Sequence, residues 1–225
     1  MGNLNTKENI KKFIPHILLY AYETFRIKQR NSKYRQEKIY HKWVSQNKPK
    51  PVPHIVKQKA VEEYQLKYKL KTLIETGTFL GDMVYSQKDN FNNLISIELD
   101  YQLFKDVKKK LRLIKNIEII HGDSGIALKE IVPKINNQCL FWLDGHYSAG
   151  FTAKGNIETP IISELDTILS NKMDHVILID DARCFTGVND YPTLKFVEEF
   201  SLNKKNNYLM QVEDDIIRLL PKYQS

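Results

Sequence analysis

Two apolar runs of this sequence end abruptly in clustered polar groups, as buried strands do when they present chemistry at their tips. The first, "CLFWLDGHYS" over residues 139–148, ends in Asp144, His146 and Tyr147. The second, "HVILIDDARCF" over residues 175–185, carries Asp180, Asp181 and Arg183. A histidine titrates near neutrality and can take a proton from a hydroxyl, so His146 is a candidate general base. Two more tips suggest what lies opposite it. In "TLIETGTFLG", Gly77 and Gly81 let the backbone turn tightly and approach a ligand. Glu98 follows Gly77 by 21 residues, about the spacing at which an acid accepts hydrogen bonds from ribose hydroxyls. Asp123 and Ser124, after "IEIIHG", suit an adenine edge and are equally good helix N-caps.

These tips need elements to hold them in one row. From Lys69 onward, short β-branched or apolar runs ("TLIET", "NLISIEL", "IEIIHGD", "CLFWLD", "HVILIDD") alternate with helical patterns. That order predicts right-handed crossovers and a parallel sheet covered by helices on both faces. "NYLMQVEDDIIRLLP" reads as two further strands around a tight Glu213–Asp214 turn. The expected fold class is therefore α/β, with a seven-stranded, mostly parallel sheet closed by an antiparallel C-terminal hairpin. In open sheets of this kind ligands bind beyond the carboxyl ends of the strands. Residues 1–68 are expected to form a basic helical segment with a Pro-containing extended linker, and residues 69–225 the catalytic domain. Within that segment Ile10, Phe13, Ile14, Ile17, Ala21 and Phe25 fall near one helical face.

Together these motifs resemble the class I S-adenosylmethionine-dependent methyltransferases over roughly residues 70–220, whose Rossmann-like sheet has the order of elements just inferred. The resemblance implies that Glu75, Thr76, Gly77, Thr78 and Gly81 wrap the methionine end of the cofactor. It implies that Glu98 holds the ribose and that Asp123 and Ser124 face the adenine. The turn departs from the commoner three-glycine form by carrying Thr78 and Phe79. "WLDGHYS" is similar to the corresponding tip in sugar and small-molecule O-methyltransferases. In their metal-dependent relatives, carboxylates placed like Asp144, Asp180 and Asp181 bind magnesium, so a Mg2+ site is one implication. A divalent ion would lower the pKa of an acceptor hydroxyl, and oxygen donors suit magnesium. Other roles stay open for the same residues. Asp144 suits the cofactor or the loop, Asp180 and Asp181 can cap the next segment, and Arg183 can neutralise the acids or hold an anionic substrate. Tyr147 and Glu158 are candidate substrate contacts in the long polar stretch after the fourth strand.

The expected function is methyl transfer to a hydroxyl of a sugar or surface-glycan precursor. Alternatives are a metal-dependent hydrolase on the same fold and a non-catalytic, membrane-associated scaffold. Charge is unevenly distributed. Residues 1–72 hold 17 Lys+Arg against 5 Asp+Glu, a local balance of +12, leaving 17 against 22, or −5, for the rest of a chain whose total is +7. The basic segment is read either as a helical cap on the main domain or as an anchor at an anionic membrane surface through residues 1–50. No recognition module accompanies the charge, which argues against nucleic acid. No apolar stretch approaches the roughly 18–20 residues that span a bilayer. The two cysteines, Cys139 and Cys184, form no disulfide framework. A cytoplasmic protein, peripheral at the inner membrane face if the anchor reading holds, is expected.

Overall fold

The computed structural model describes residues 16–144 and 159–222, of which 16–20 are described by backbone alone. Seven strands form one sheet: β1 (Thr72–Thr76), β2 (Asn93–Glu98), β3 (Ile117–His121), β4 (Leu140–Leu143), β5 (Val176–Ile179), β6 (Tyr208–Glu213) and β7 (Ile216–Pro221). Their spatial order is β3-β2-β1-β4-β5-β7-β6, with β1 to β5 parallel and β7 antiparallel to both its neighbours. This is the expected fold class. Central strands buried on both faces must be apolar throughout, and β4 (LFWL) and β5 (VILI) are buried at every position. The hairpin turn lies one residue later than expected. Asp214 and Asp215, with φ of 48° and 63°, occupy its two central positions. A two-residue hairpin turn with positive φ at both positions matches the twist of the flanking strands, and Asp tolerates that region.

The period-2 alternation of the strands divides the core into two layers. On one face Leu73, Leu94, Leu140, Trp142 and Leu178 pack with helices from the N-terminal half of the chain. On the other, Ile74, Phe141, Leu143, Ile177 and Leu219 pack with helices from the C-terminal half. The first layer is covered by α3 (His54–Tyr68), α4 (Asp82–Gln87) and α5 (Tyr101–Leu111), and the second by α6 (Ser124–Ile131), α7 (Ile161–Leu169) and α8 (Leu194–Lys204). Helix α3 supplies Ala60, Val61 and Tyr64 to the same core cluster as the sheet. The expected boundary at residues 68 and 69 thus falls between α3 and β1.

Two further helices, α1 (His16–Arg30) and α2 (Lys33–Ser45), precede α3. Of the apolar face expected in this segment, the structure describes the side chains of Ala21 and Phe25. Ala21 is exposed and Phe25 is 56% exposed, whereas Ile27 is fully buried in the first core layer. Ile10, Phe13 and Ile14 lie outside the described residues. Polar groups anchor the helix here: Arg30 at the end of α1 grips Asp82 at the start of α4, with Nε to Oδ2 at 3.0 Å and Nη2 to Oδ1 at 3.0 Å. The stretch from Asn47 to Pro53 is irregular as expected, but it is pinned. Trp43 Nε1 donates to the Pro49 carbonyl at 2.9 Å, and Trp43, Val52, Ile55 and Val56 form a small core of their own.

A chain beginning at Lys69 should not fold cooperatively. It lacks Ile27 and Val61, each worth roughly 1.5–3 kcal/mol when buried, along with Ala60 and Tyr64. It also uncovers one sheet face, against a typical total stability of about 5–15 kcal/mol. Thermal unfolding followed by near-ultraviolet circular dichroism checks this. A sharp transition close to that of the full chain would contradict it.

Candidate functional site

Backbone hydrogen bonds continue past the last residue of each central strand and so align the tips. Gly77 N donates to the Ile97 carbonyl at 3.0 Å, Asp144 N to that of Thr76 at 3.1 Å and Asp180 N to that of Leu143 at 3.0 Å. Glu75, Glu98, Asp144 and Asp180 therefore stand along one edge of the sheet, at its carboxyl end.

The turn after β1 is tightly constrained. Gly77, Phe79 and Gly81 all have positive φ, at 84°, 48° and 79°. A Cβ on Gly81 would also meet Val107 Cγ1 at 2.9 Å, so α5 packs directly over it. Phe79, a bulky residue in the left-handed region, donates its N–H to Glu98 Oε2 at 2.7 Å. Asp100 N donates to Glu98 Oε1 at 2.9 Å, while Asp100 itself caps α5 by accepting from Leu103 N. Burial pushes the Glu98 carboxyl up, against these backbone hydrogen bonds. Below the turn Thr78 Oγ1 pairs with Ser96 Oγ at 2.6 Å, and Ser96 Oγ donates to Glu75 Oε2 at 2.5 Å. Burial raises the Glu75 carboxyl well above its usual range, partly opposed by the Ser96 hydrogen bond and reinforced by Asp144 and Glu98.

Asp123 caps α6, accepting from Ile126 N at 3.2 Å, which is the structural role the sequence left open. Ser124 beside it is buried and faces Glu164 of α7. Glu164 is 1% exposed, and burial pushes its carboxyl up to about 7 while the Ser124 and Thr76 hydroxyls pull it down. Among the described residues, Glu164 Oε1 and Thr76 Oγ1 have no hydrogen-bond partner of good geometry.

The acids after β4 and β5 meet a cation from α3. Lys57 Nζ contacts Asp180 Oδ2, with the lysine side chain 15% exposed and the aspartate side chain 0% exposed. Burial opposes the Lys57 charge, but Asp144, Asp180 and Asp181 outweigh it and hold the ammonium above the usual lysine range. Burial, then Asp144, push Asp180 well above the usual carboxylate range despite Lys57. Asp180 Oδ1 accepts from Asp181 N at 2.8 Å. Asp181 takes a left-handed φ of 56°, and its Oδ1 accepts from Arg183 Nη1 at 2.6 Å. Arg183 also pairs with Asp215 in the β6–β7 turn, and the Arg183 N–H donates to Asp215 Oδ1 at 3.0 Å. Arg183 thus neutralises acids, the first of its two expected roles.

These partners bear on the magnesium site that the resemblance implied. Both oxygens of Asp180 and one of Asp181 are taken by protein donors, and an ammonium lies against the carboxylate a metal would bind. Among the described residues no three His, Cys, Asp or Glu side chains converge closely enough to hold a metal ion. The donor set of the described residues does not fit a divalent ion.

Sequence reasoning missed Lys57, Glu164 and His54. His54 and Lys57 stand at i and i+3 on the first turn of α3, with Gln58 at i+4. Gln58 Nε2 pairs with His54 Nδ1 at 2.8 Å and donates to Asn31 Oδ1 at 2.8 Å, while Asn31 Nδ2 donates to Asp82 Oδ1 at 2.8 Å. Burial pushes His54 below the usual histidine range, with Asp82 the largest opposing influence. The polar triplet in "HIVKQ" was visible, but inside a basic segment it reads as a solvated face. His146, Tyr147 and Glu158 lie outside the described residues. Beside Asp180 a recess opens, walled by Leu143, Ile179, Phe185 and Tyr191, with Thr159 and Glu164 as further polar groups. The Phe185 and Tyr191 rings meet edge to face at 5.4 Å.

No protein-family model matches the sequence, and no curated protein does. Solved structures do match. TomG, an O-methyltransferase from Streptomyces achromogenes in complex with S-adenosylmethionine, superposes with TM-score 0.54 at 13% identity, covering 84% of this chain and 89% of its own. The Podospora anserina methyltransferase PaMTH1, bound to S-adenosylhomocysteine, gives TM-score 0.54 at 13% identity over 99% and 98%. A Clostridium thermocellum protein provisionally assigned as an rRNA methylase gives 0.52 at 12% identity over 72% and 96%. The fold is that of the class I S-adenosylmethionine-dependent methyltransferases. Likeness at this identity does not extend to the acceptor.

Glu164 offers a test of the site's electrostatics. Its carboxyl titrates at about 7 against an ordinary 4.5. A raised value means stability that is intact below about 4.5 and lost as the pH rises through about 7. Glu164→Gln keeps the shape without the charge. It should melt nearly with the parent at pH 4.5 and above it at pH 8.5, by up to about 3 kcal/mol at 1.36 kcal/mol per unit. Equal melting temperatures at pH 8.5 would contradict the burial argument.

Proposed function

We propose that this chain transfers the methyl group of S-adenosylmethionine to a hydroxyl of a small, carbohydrate-like acceptor. The observation that carries the reading is Glu98. Two backbone amides, one from the glycine turn and one from the next helix cap, fix its carboxylate at the tip of β2 beside that turn. An acid so placed in this fold accepts from ribose hydroxyls, and the amides orient it before any ligand arrives. We assign Glu75 to Gly81 to the methionine end and Ser124, beside Asp123, to the adenine side.

In the reaction the acceptor oxygen bonds to the methyl carbon as the carbon–sulfur bond breaks. S-adenosylhomocysteine leaves, and the hydroxyl proton passes to a base. Asp144 and His146 are the candidates for that base. The sulfonium carbon is already activated, so alignment supplies most of the acceleration, on the order of 7–11 kcal/mol at best. The recess by Asp180 has room for about one water-sized group, such as an acceptor hydroxyl, between the apolar Phe185 and Tyr191 and the polar Thr159 and Glu164. The association of the acceptor with a surface glycan rests on the resemblance of "WLDGHYS" alone. Among the described residues no helix is long and apolar enough to cross a membrane.

Calorimetric titration with S-adenosylhomocysteine tests the cofactor site. Micromolar binding is expected for the parent. At least tenfold weaker binding is expected for Glu98→Gln, since each hydrogen bond to a charged group is worth about 1.5–3 kcal/mol. No binding by folded parent protein would overturn the proposal.

Glu75 adds a pH dependence. Burial holds its carboxyl above the usual range, and a cationic ligand nearby shifts it back down. Binding of S-adenosylmethionine should therefore release a proton and tighten as the pH rises. Titration in two buffers of different ionisation enthalpy measures this, and proton uptake would contradict it.

A further inference from the structure

The recess beside Asp180 is short of positive charge. Two acids line it, Asp180 and Glu164, and among the described residues no basic side chain does. Lys57 answers Asp180 from α3, and both oxygens of that aspartate are taken. Among the described residues Glu164 has no such counter-charge. It is 1% exposed, and its Oε1 lacks a hydrogen-bond partner of good geometry. The groups that face it bring no cation: Ser124 and Thr76 are neutral hydroxyls, and Asp123 adds negative charge. A buried carboxylate left without a donor or a cation is costly. Part of the remaining wall is aromatic, with the Phe185 and Tyr191 rings edge to face at 5.4 Å. An acid and aromatic faces around room for one water-sized group suit a compact cation.

We propose that this recess is an ammonium pocket, which takes the primary ammonium of an amine-bearing acceptor against Glu164. That the occupant belongs to the acceptor rests on the methyltransferase reading. The ammonium donates to Glu164 Oε1 and lies against the aromatic rings. The rest of the molecule stays outside, because the space holds only one such head group. A neutral hydroxyl in the same place would satisfy the hydrogen bond but leave the Glu164 charge unanswered. A protonated amine has no lone pair with which to attack the sulfonium methyl. It therefore anchors the acceptor, and a hydroxyl of the same molecule is left to react. The substrate class narrows to a carbohydrate-like alcohol that also carries an amine.

Thermal unfolding of the full chain, with methylammonium as the probe, reads this without cofactor or acceptor. At pH 8, methylammonium chloride at about 0.1 M should raise the melting temperature by about 3 °C over equal sodium chloride. Tetramethylammonium, too large for the space and without N–H donors, should match sodium. The Glu164 carboxyl titrates at about 7, so the gain should vanish at pH 5.5, where the carboxyl is protonated. Glu164→Gln should abolish the gain at pH 8, and Tyr191→Leu, which keeps the acid, should reduce it. Equal melting temperatures in methylammonium and sodium would overturn the inference, as would a gain that Glu164→Gln retains. Should Glu164→Gln not fold, a gain undiminished in Tyr191→Leu overturns it instead. Titration of the parent with S-adenosylhomocysteine separates the two claims. Cofactor binding without a methylammonium gain removes only the ammonium pocket. A gain lost in Glu164→Gln, with no cofactor binding, removes only the methyltransferase reading.

Discussion

Buried negative charge at the carboxyl edge of the sheet is the constraint on which the rest of this structure depends. Backbone pairing forces the tips of β1, β2, β4 and β5 into register, and each tip carries at least one acid. Carboxylates crowded at a partly dry edge raise one another's pKa and must be compensated. The basic N-terminal segment provides that compensation. Arg30 binds Asp82, Lys48 binds Asp214, Lys50 approaches Asp215 and Lys57 binds Asp180. Four of the 17 basic residues behind the +12 balance of residues 1–72 thus answer acids in the rest of the chain, whose balance is −5.

These pairs do not contribute equally. Lys48 and Lys50 are half exposed, where an ion pair is worth about 0–1 kcal/mol. They orient the segment more than they stabilise it. Lys57 with Asp180, and Arg30 with Asp82, are more enclosed: the first fixes where α3 sits along the sheet and the second fixes the end of α1 against the start of α4. The apolar side of α3 then supplies the binding energy through Ala60, Val61 and Tyr64. One helix thereby covers a sheet face, is tied through Gln58 and Asn31 to the helix after the glycine turn, and delivers charge to the tip of β5.

Much of this was legible in the residues. The five parallel strands could be read because central strands are apolar on both faces and end in abrupt polar tips. The places of Glu75, the glycine turn and Glu98 at the strand tips could be read because each is local to a strand and its next turn. The hairpin turn was displaced by one residue because "VEDDI" offers several acids that tolerate a left-handed conformation, and only the register with β7 chooses between them. That α1 buries Ile27 and not Phe25 was not legible, and the Arg30–Asp82 pair that ties down its end joins residues 52 apart. The three aspartates after β4 and β5 resembled a metal site for a similar reason. Their counter-charge lies 123 residues upstream of Asp180, in a stretch that looks like a solvated linker and helix. Glu164 escaped notice because an acid in the first turn of a helix is ordinarily a dipole partner, and nothing local marks this one as buried.

The most direct measurement is a crystal structure of the full chain with S-adenosylhomocysteine, grown in the presence of manganese and recorded at the manganese absorption edge. The account predicts both ribose hydroxyls within hydrogen-bonding distance of Glu98, the sulfur facing the recess beside Asp180, Lys57 in contact with that aspartate and no anomalous peak there. An adenosyl group bound elsewhere, or a manganese peak between Asp144 and Asp180 with Lys57 displaced, would contradict it.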